Sequence, residues 1–230
     1  MFLYVLLYMC GNDNARLEVQ RVMKKYEVVV FDVDGTLIDT QETILLSLQH
    51  MLFRMTGRLY PFEELYFALG IPGDKALDQL KIEDKENAMK TWLIYDERYG
   101  YLQKPFDGIK ELISWLKQKK IRLGIVTSRT REEIRKSVAG YEFMKSFETI
   151  ICADDTRKHK PEPEPMLELL KRMHAEPSRV LYVGDSSYDM ECARRAGVDC
   201  ALAVWGAHFP DNIRADYKME KTNDIKSLFI

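Results

Sequence analysis

Cysteine and histidine are scarce in this 230-residue chain, four of each, and none is spaced for ligation. Cys10, Cys152, Cys192 and Cys200 contain no C-x-x-C pair, and His50, His159, His174 and His208 are scattered. Neither a disulfide framework nor a zinc site has support. Three of the cysteines fall in expected core strands or a helix, so they read as buried reduced thiols, which suits a cytoplasmic location. Charge of one sign is missing too. Lys and Arg total 34 against 36 Asp and Glu, a net charge of −2 with both signs dispersed, which leaves no electrostatic footprint for nucleic acid. The longest basic cluster, Arg157, Lys158, His159, Lys160, is too short for a polyanion groove; it reads as a solvated loop or as a local rise in potential that would draw an anion.

The sequence also lacks an apolar run of the ~20 residues that cross a bilayer. Phe2 to Cys10 is apolar but short, no basic residue precedes it, and Tyr8 and Met9 stand where a lipoprotein cleavage box wants small residues. No membrane association or export is expected from it. Residues 1–22 read as an N-terminal extension dispensable for catalysis, with Met23 an ordinary start just ahead of the first strand. Internal repeats and low-complexity tracts are absent as well. What remains is 46% hydrophobic residues, enough for one large domain or one domain with a smaller insert; disordered and fibrous classes are excluded.

The most informative run is Val28, Val29, Val30, Phe31, Asp32, Val33, Asp34, Gly35. Uncharged β-branched and aromatic residues predict a strand buried on both faces, as in a parallel sheet. Two carboxylates and a glycine at its end point into the crevice where open α/β sheets bind ligands. From there to about residue 104 the pattern is helical: Ile44, Leu48, Met51, Leu52 and Met55 share one helix face that ends near Gly57. Beyond Pro105, helices and strands alternate. Ile109, Leu112, Ile113 and Leu116 face one way on a helix; strands follow at Ile121 to Thr127, Thr149 to Cys152, Arg179 to Gly184 and Cys200 to Val204. Such alternation predicts an α/β fold, a doubly wound parallel sheet with helices on both faces.

The residues Asp32 to Thr40, DVDGTLIDT, are similar to the nucleophile signature of the haloacid dehalogenase (HAD) superfamily. IRLGIVTS, ending in Thr127 and Ser128, resembles its second motif; Lys160 with Pro161 matches the third; VLYVGDSSYD, carrying Asp185 and Asp189, matches the fourth. Short motifs are individually weak, but four in order, each at an expected strand end, are specific. The resemblance spans roughly residues 24 to 230 and implies a HAD-like Rossmannoid core over residues 23–39 and 105–230, with an all-helical cap over residues 40–104. Taken singly, Asp32 and Asp34 also fit a turn, Asp39 and Thr40 a helix N-cap, Asp189 a helix N-terminus, and Lys160 a solvated loop.

The resemblance also implies roles. Asp32 is the nucleophile that forms an aspartyl-phosphate, and Asp34 protonates the leaving group and then activates water. A carboxyl with that task is expected to have a raised pKa. Asp32, Asp185, the Asp34 carbonyl and, through water, Asp189 hold Mg²⁺; Lys160, Thr127, Ser128 and Gly35 bind the phosphoryl group. Dehalogenases need no acid at the Asp34 position, because halide leaves without a proton. The fourth motif and PFDGIKELISWLKQKKIRLGIVTS resemble the phosphoglycolate phosphatase group, while HKPEPEPMLELL and ALAVWG resemble its relatives that cleave pyrophosphate. β-Phosphoglucomutases commonly carry Glu where this chain has Gly184. The expectation is a cytoplasmic, Mg²⁺-dependent phosphatase of a small phosphorylated metabolite, with no nucleic-acid or membrane partner. A pyrophosphatase or a sugar-phosphate mutase is the alternative; an inactive binding module is disfavoured, because all the expected catalytic positions are present. The sequence leaves the oligomeric state and the substrate-selecting residues open.

Overall fold

Four consecutive β-branched or aromatic residues form the first strand, β1 (Val28–Phe31), and their alternation divides the core in two. Val29 and Phe31 point to one layer with Leu123, Ile125, Leu181 and Val183; Val28 and Val30 point to the other with Val126, Val180 and Tyr182. All four are buried, and each such side chain stabilises the fold by roughly 1.5–3 kcal/mol. The computed structural model describes residues 26–229, so the expected extension over residues 1–22, and Cys10 within it, lies outside the described residues.

Five further strands join β1 in a parallel sheet: β4 (Arg122–Val126), β5 (Thr149–Ile151), β6 (Val180–Gly184), β7 (Asp199–Ala203) and β8 (Tyr217–Met219). The order is β5-β4-β1-β6-β7-β8, with Val28 opposite Arg122 on one side and Val180 on the other. The helix Ile109–Gln118 covers one face through Ile109, Leu112, Ile113 and Leu116. Glu164–Met173 and Ser187–Arg195 cover the other through Met166, Leu169, Met173, Met190 and Cys192. The expected doubly wound sheet is therefore observed.

Between β1 and β4 the chain makes a detour. Ile38–Asp39, β2, pairs antiparallel with Lys104–Pro105, β3, and everything between them is helical or turn. The helices are α1 (Gln41–Thr56), α2 (Gly73–Gln79) and α3 (Lys85–Tyr99), with short 3-10 turns at Phe62–Glu64 and Tyr66–Ala68. Continuing in chain order, α4 is Ile109–Gln118, α5 Arg131–Ser137, α6 Glu164–Met173 and α7 Ser187–Arg195. The insertion has its own core, built on Leu48, Met51, Leu52, Leu77 and Trp92. Gly57 ends α1 at φ 74°, a left-handed cap that a residue with a Cβ adopts only under strain.

Candidate active site

The chain winds from β1 to β4 to β5 in one direction, then crosses back to β6 beside β1 and winds the other way. Its switch point is the gap between the carboxyl ends of β1 and β6, where such sheets bind ligands. Asp32 follows β1 and Asp185 follows β6, so topology alone places them side by side. Thr127 leaves the end of neighbouring β4, and Lys160 arrives from the loop before α6, its peptide bond to Pro161 being cis. Asp32, Thr127, Lys160, Asp185 and Asp189 are all buried.

Lys160 sits between two of the acids. Its Nζ lies 2.6 Å from Asp189 Oδ1 and 3.0 Å from Asp32 Oδ1. Asp189 is saturated with donors: Oδ1 also accepts the Tyr182 hydroxyl at 2.8 Å, while Oδ2 accepts the Ser186 amide at 3.0 Å and hydroxyl at 2.6 Å. Ser186 and Asp189 form the capping box of α7. The helix-start reading of Asp189 therefore applies, with one oxygen capping the helix while the other fixes Lys160, a contact the sequence did not mark. Gly184 leaves the room this requires, because a Cβ there would stand 2.5 Å from the Asp189 Cβ.

Asp34 is held differently. Arg129 grips it with both arms of its guanidinium, Nε to Oδ2 at 2.8 Å and Nη2 to Oδ1 at 2.6 Å, and the third nitrogen donates to Ser137 Oγ. Burial would push the Asp34 carboxyl up, but the Arg129 charge and its hydrogen bonds, with the Thr40 hydroxyl and Lys160, hold it below the ordinary carboxylate range. This corrects the expectation of a raised pKa at Asp34, which did not foresee the arginine. Thr40 stands at the N-cap position of α1, as its residue type suggested, but its side chain makes no cap bond; its hydroxyl helps lower the Asp34 carboxyl.

The raised acids are Asp32 and Asp185. Burial, opposed by Lys160 and reinforced by Asp189 and Asp34, lifts Asp32 to about 7. Burial and then Asp189 and Asp32 push Asp185 well above its ordinary value, and Thr36 donates to its Oδ1 at 3.1 Å. Asp32, Asp185 and Asp189 each offer an oxygen within 4.8 Å of the others. Three buried carboxylates with one ammonium among them form an incompletely neutralised oxygen-donor set that can hold a divalent metal ion, the hard cations being the chemical match. A second group, Cys152, Asp154 and Asp155, also lies within that distance, but Asp155 there is engaged by Arg131, Arg172 and the Cys152 amide.

The remaining expected positions also converge. The Thr127 hydroxyl accepts the Arg129 amide at 3.2 Å, and Ser128 Oγ is buried with no hydrogen-bond partner. Gly35 takes φ 71°, and a Cβ on it would stand 2.2 Å from Asp185 Oδ2. The insertion reaches the same region. Gly70 stacks against Ser186, and the Tyr66 ring lies 3.9 Å from that of His208, centroid to centroid. Sequence reasoning missed Arg129, Tyr182 and Ser186. For Arg129 the available signal was a basic residue directly after the Thr-Ser of the second motif; for Ser186 it was the S-x-x-D spacing of a helix start. Nothing in the sequence marked Tyr182.

Residues 29–203 match the family model described as haloacid dehalogenase-like hydrolase. The chain belongs to that family. Among relatives of this HAD-like hydrolase is a protein named "Putative pyrophosphatase PpaX" from Caldanaerobacter subterraneus subsp. tengcongensis, 34% identical over 182 residues, which are 79% of this chain and 83% of the relative. Pyrophosphatase PpaX of Bacillus velezensis is 28% identical, covering 88% and 95% of the two chains. A solved structure described as a "putative phosphoglycolate phosphatase" from Lactobacillus plantarum superposes with a TM-score of 0.82 at 30% identity, covering 89% of this chain and all of its own. Among the described residues no helix is long and apolar enough to cross a membrane.

Proposed function

We propose that this HAD-like hydrolase is a Mg²⁺-dependent phosphatase of a small phosphorylated metabolite, working through an aspartyl-phosphate on Asp32. The observation that carries this reading is Asp32 buried against Lys160 at 3.0 Å and within metal-sharing distance of Asp185 and Asp189. The Asp32 carboxylate attacks phosphorus, the bond from phosphorus to the leaving oxygen breaks, and Asp34, which takes up a proton as it leaves the Arg129 guanidinium, gives that proton to the oxygen. Asp34 then takes a proton from water as the water attacks the same phosphorus, which releases phosphate and regenerates the Asp32 carboxylate. Asp32, Asp185 and the Asp34 carbonyl would hold Mg²⁺, with Asp189, whose oxygens are taken by Lys160, Tyr182 and Ser186, adding its charge from behind them, and the ion would offset the negative charge of nucleophile and phosphoryl group. Lys160 and the hydroxyls of Thr127 and Ser128 orient the phosphoryl oxygens; the Gly35 amide, expected to join them, donates to the Ile38 carbonyl at 2.9 Å instead. Residues 40–104 act as the cap that excludes water, consistent with the Gly70 and Tyr66 contacts to Ser186 and His208.

The relatives named pyrophosphatase favour a second reading, in which the leaving group is itself phosphate. Sugar-phosphate mutation is disfavoured by Gly184, since a side chain there meets Asp189. Free thiols at the buried positions Cys152, Cys192 and Cys200 support a cytoplasmic setting. The test is phosphate release from a panel of phosphorylated metabolites and pyrophosphate, with Mg²⁺ and with a chelator. The expected result is Mg²⁺-dependent release from at least one of them; β-glucose 1-phosphate converted to glucose 6-phosphate with little phosphate released would favour the mutase.

A further inference from the structure

Two cations act on the acids of the site, and the proposed chemistry uses only one of them. Lys160 is committed at the base of the site, tied to Asp32 and Asp189 with its side chain 2% exposed. Arg129 stands on the other side, against Asp34, with its side chain 10% exposed. Asp34 is the group that meets the leaving oxygen in the reading above, on which this inference rests. Whatever is bonded one or two atoms beyond that oxygen therefore arrives where the Arg129 guanidinium now lies.

The guanidinium is presented as a fork. Nε and Nη2 take the two Asp34 oxygens in parallel, at 2.8 and 2.6 Å, the arrangement in which arginine takes any carboxylate or phosphoryl group. Its third nitrogen is anchored independently on Ser137 Oγ, whose hydroxyl donates in turn to the Glu133 carbonyl. The fork can therefore change partner without losing its footing. Asp96 from α3 and Glu133 from α5 also bear on Arg129 and favour its charge at this place. A ligand anion that replaced Asp34 in the fork would leave the number of ion pairs unchanged and free the Asp34 carboxyl to face the leaving oxygen.

We propose that Arg129 is the specificity-determining residue for the leaving group, exchanging Asp34 for a second anionic group that the leaving group carries. The substrate class is then a phosphate ester or anhydride with a carboxylate or phosphoryl group next to the leaving oxygen, and neutral alcohol phosphates are poor substrates. Charge-assisted hydrogen bonds of this kind are worth about 1.5–3 kcal/mol, so the preference should be roughly tenfold to a hundredfold in kcat/KM.

The experiment compares Mg²⁺-dependent phosphate release by the full chain from 2-phosphoglycolate, inorganic pyrophosphate, ethyl phosphate and p-nitrophenyl phosphate. The expected result is a kcat/KM for 2-phosphoglycolate or pyrophosphate roughly tenfold or more above that for ethyl phosphate; which of the two leads tells carboxylate from phosphoryl. In Arg129→Lys and Arg129→Met the ratio should shrink, chiefly through a higher KM for the doubly anionic compound. A wild-type ratio near one overturns the assignment of Arg129 while the phosphatase reading stands, and so does an unchanged ratio in the variants. No release from any of the four, p-nitrophenyl phosphate included, overturns the phosphatase reading and this inference with it.

Discussion

Gly206 rests directly on the main chain of Gly35: a Cβ on Gly206 would stand 1.8 Å from the Gly35 carbonyl oxygen. Gly35 in turn has Asp185 where its own Cβ would be, at 2.2 Å. The turn after Asp34 is thus pressed between Asp185 on one side and the segment after β7 on the other. Trp205 reinforces the seam by donating its indole N–H to the Thr36 carbonyl at 3.0 Å. We expect Gly206→Ala to push the turn out of place, lowering stability by about 1–3 kcal/mol and reducing turnover. Urea unfolding beside steady-state kinetics checks both, and a variant as stable and active as wild type would mean the turn yields easily.

Asp32→Asn should abolish turnover, by roughly 10³-fold or more, since an amide is no nucleophile. The fold should persist, and without metal the variant should be more stable than wild type at pH 8, because one buried like charge is gone from beside Asp185 and Asp189. Thermal unfolding of both proteins in a chelator measures this. Residual activity near the wild-type level would remove Asp32 from the nucleophile's role.

The pH dependence of metal-free stability follows from the raised acids. Asp32 titrates at about 7 in the folded chain against 3.8 for an ordinary Asp, and Asp185 is shifted in the same direction. Between those two values the folded state holds protons that the unfolded chain has lost, so this contribution to stability falls as pH rises from about 4 to about 7. A divalent metal held by these acids would take their carboxylate forms and reverse the loss. The increase in Tm on adding Mg²⁺ should therefore be small at pH 5 and largest near pH 8. An increase independent of pH would speak against binding at these carboxylates.

Asp189→Asn should destabilise the chain by roughly 3–5 kcal/mol, the range for removing one partner of a buried ion pair. An amide nitrogen beside the Lys160 ammonium or the Ser186 amide leaves donors facing donors. Tyr182→Phe removes a single donor from Asp189, and about 0.5–1.5 kcal/mol is expected from it. Chemical denaturation of the two variants gives the order directly; equal losses would mean that Asp189 is not the centre of this network.

What was legible beforehand follows from local pattern. The four β-branched and aromatic residues of β1, the i, i+4, i+7 face of α1 with its Gly57 stop, and the acids at strand ends each declare themselves within a few positions of sequence. With the topology of an open sheet, that was enough to bring Asp32 and Asp185 together; Thr127 and Lys160 joined them only through the resemblance to the family's motifs. The arginine grip on Asp34 was not legible, because it joins residues 95 positions apart and no periodicity records which side chain meets which across a crevice. The direction of the Asp34 shift was lost with it. Tyr182 was hidden for another reason: an aromatic residue in a buried strand has a sufficient explanation in packing, and its hydroxyl leaves no trace in the pattern.

The short ribbon of β2 and β3 has an architectural consequence. Because Asp39 is paired with Lys104, the chain departs from the sheet and comes back to it at neighbouring points, as a lobe does on a stalk. The β2–β3 ribbon closes the base of the lobe apart from the six-stranded sheet. The lobe can therefore be exchanged, lengthened or pared to a tight turn with little demand on the strands beneath, and one hydrolytic floor can serve under many different roofs.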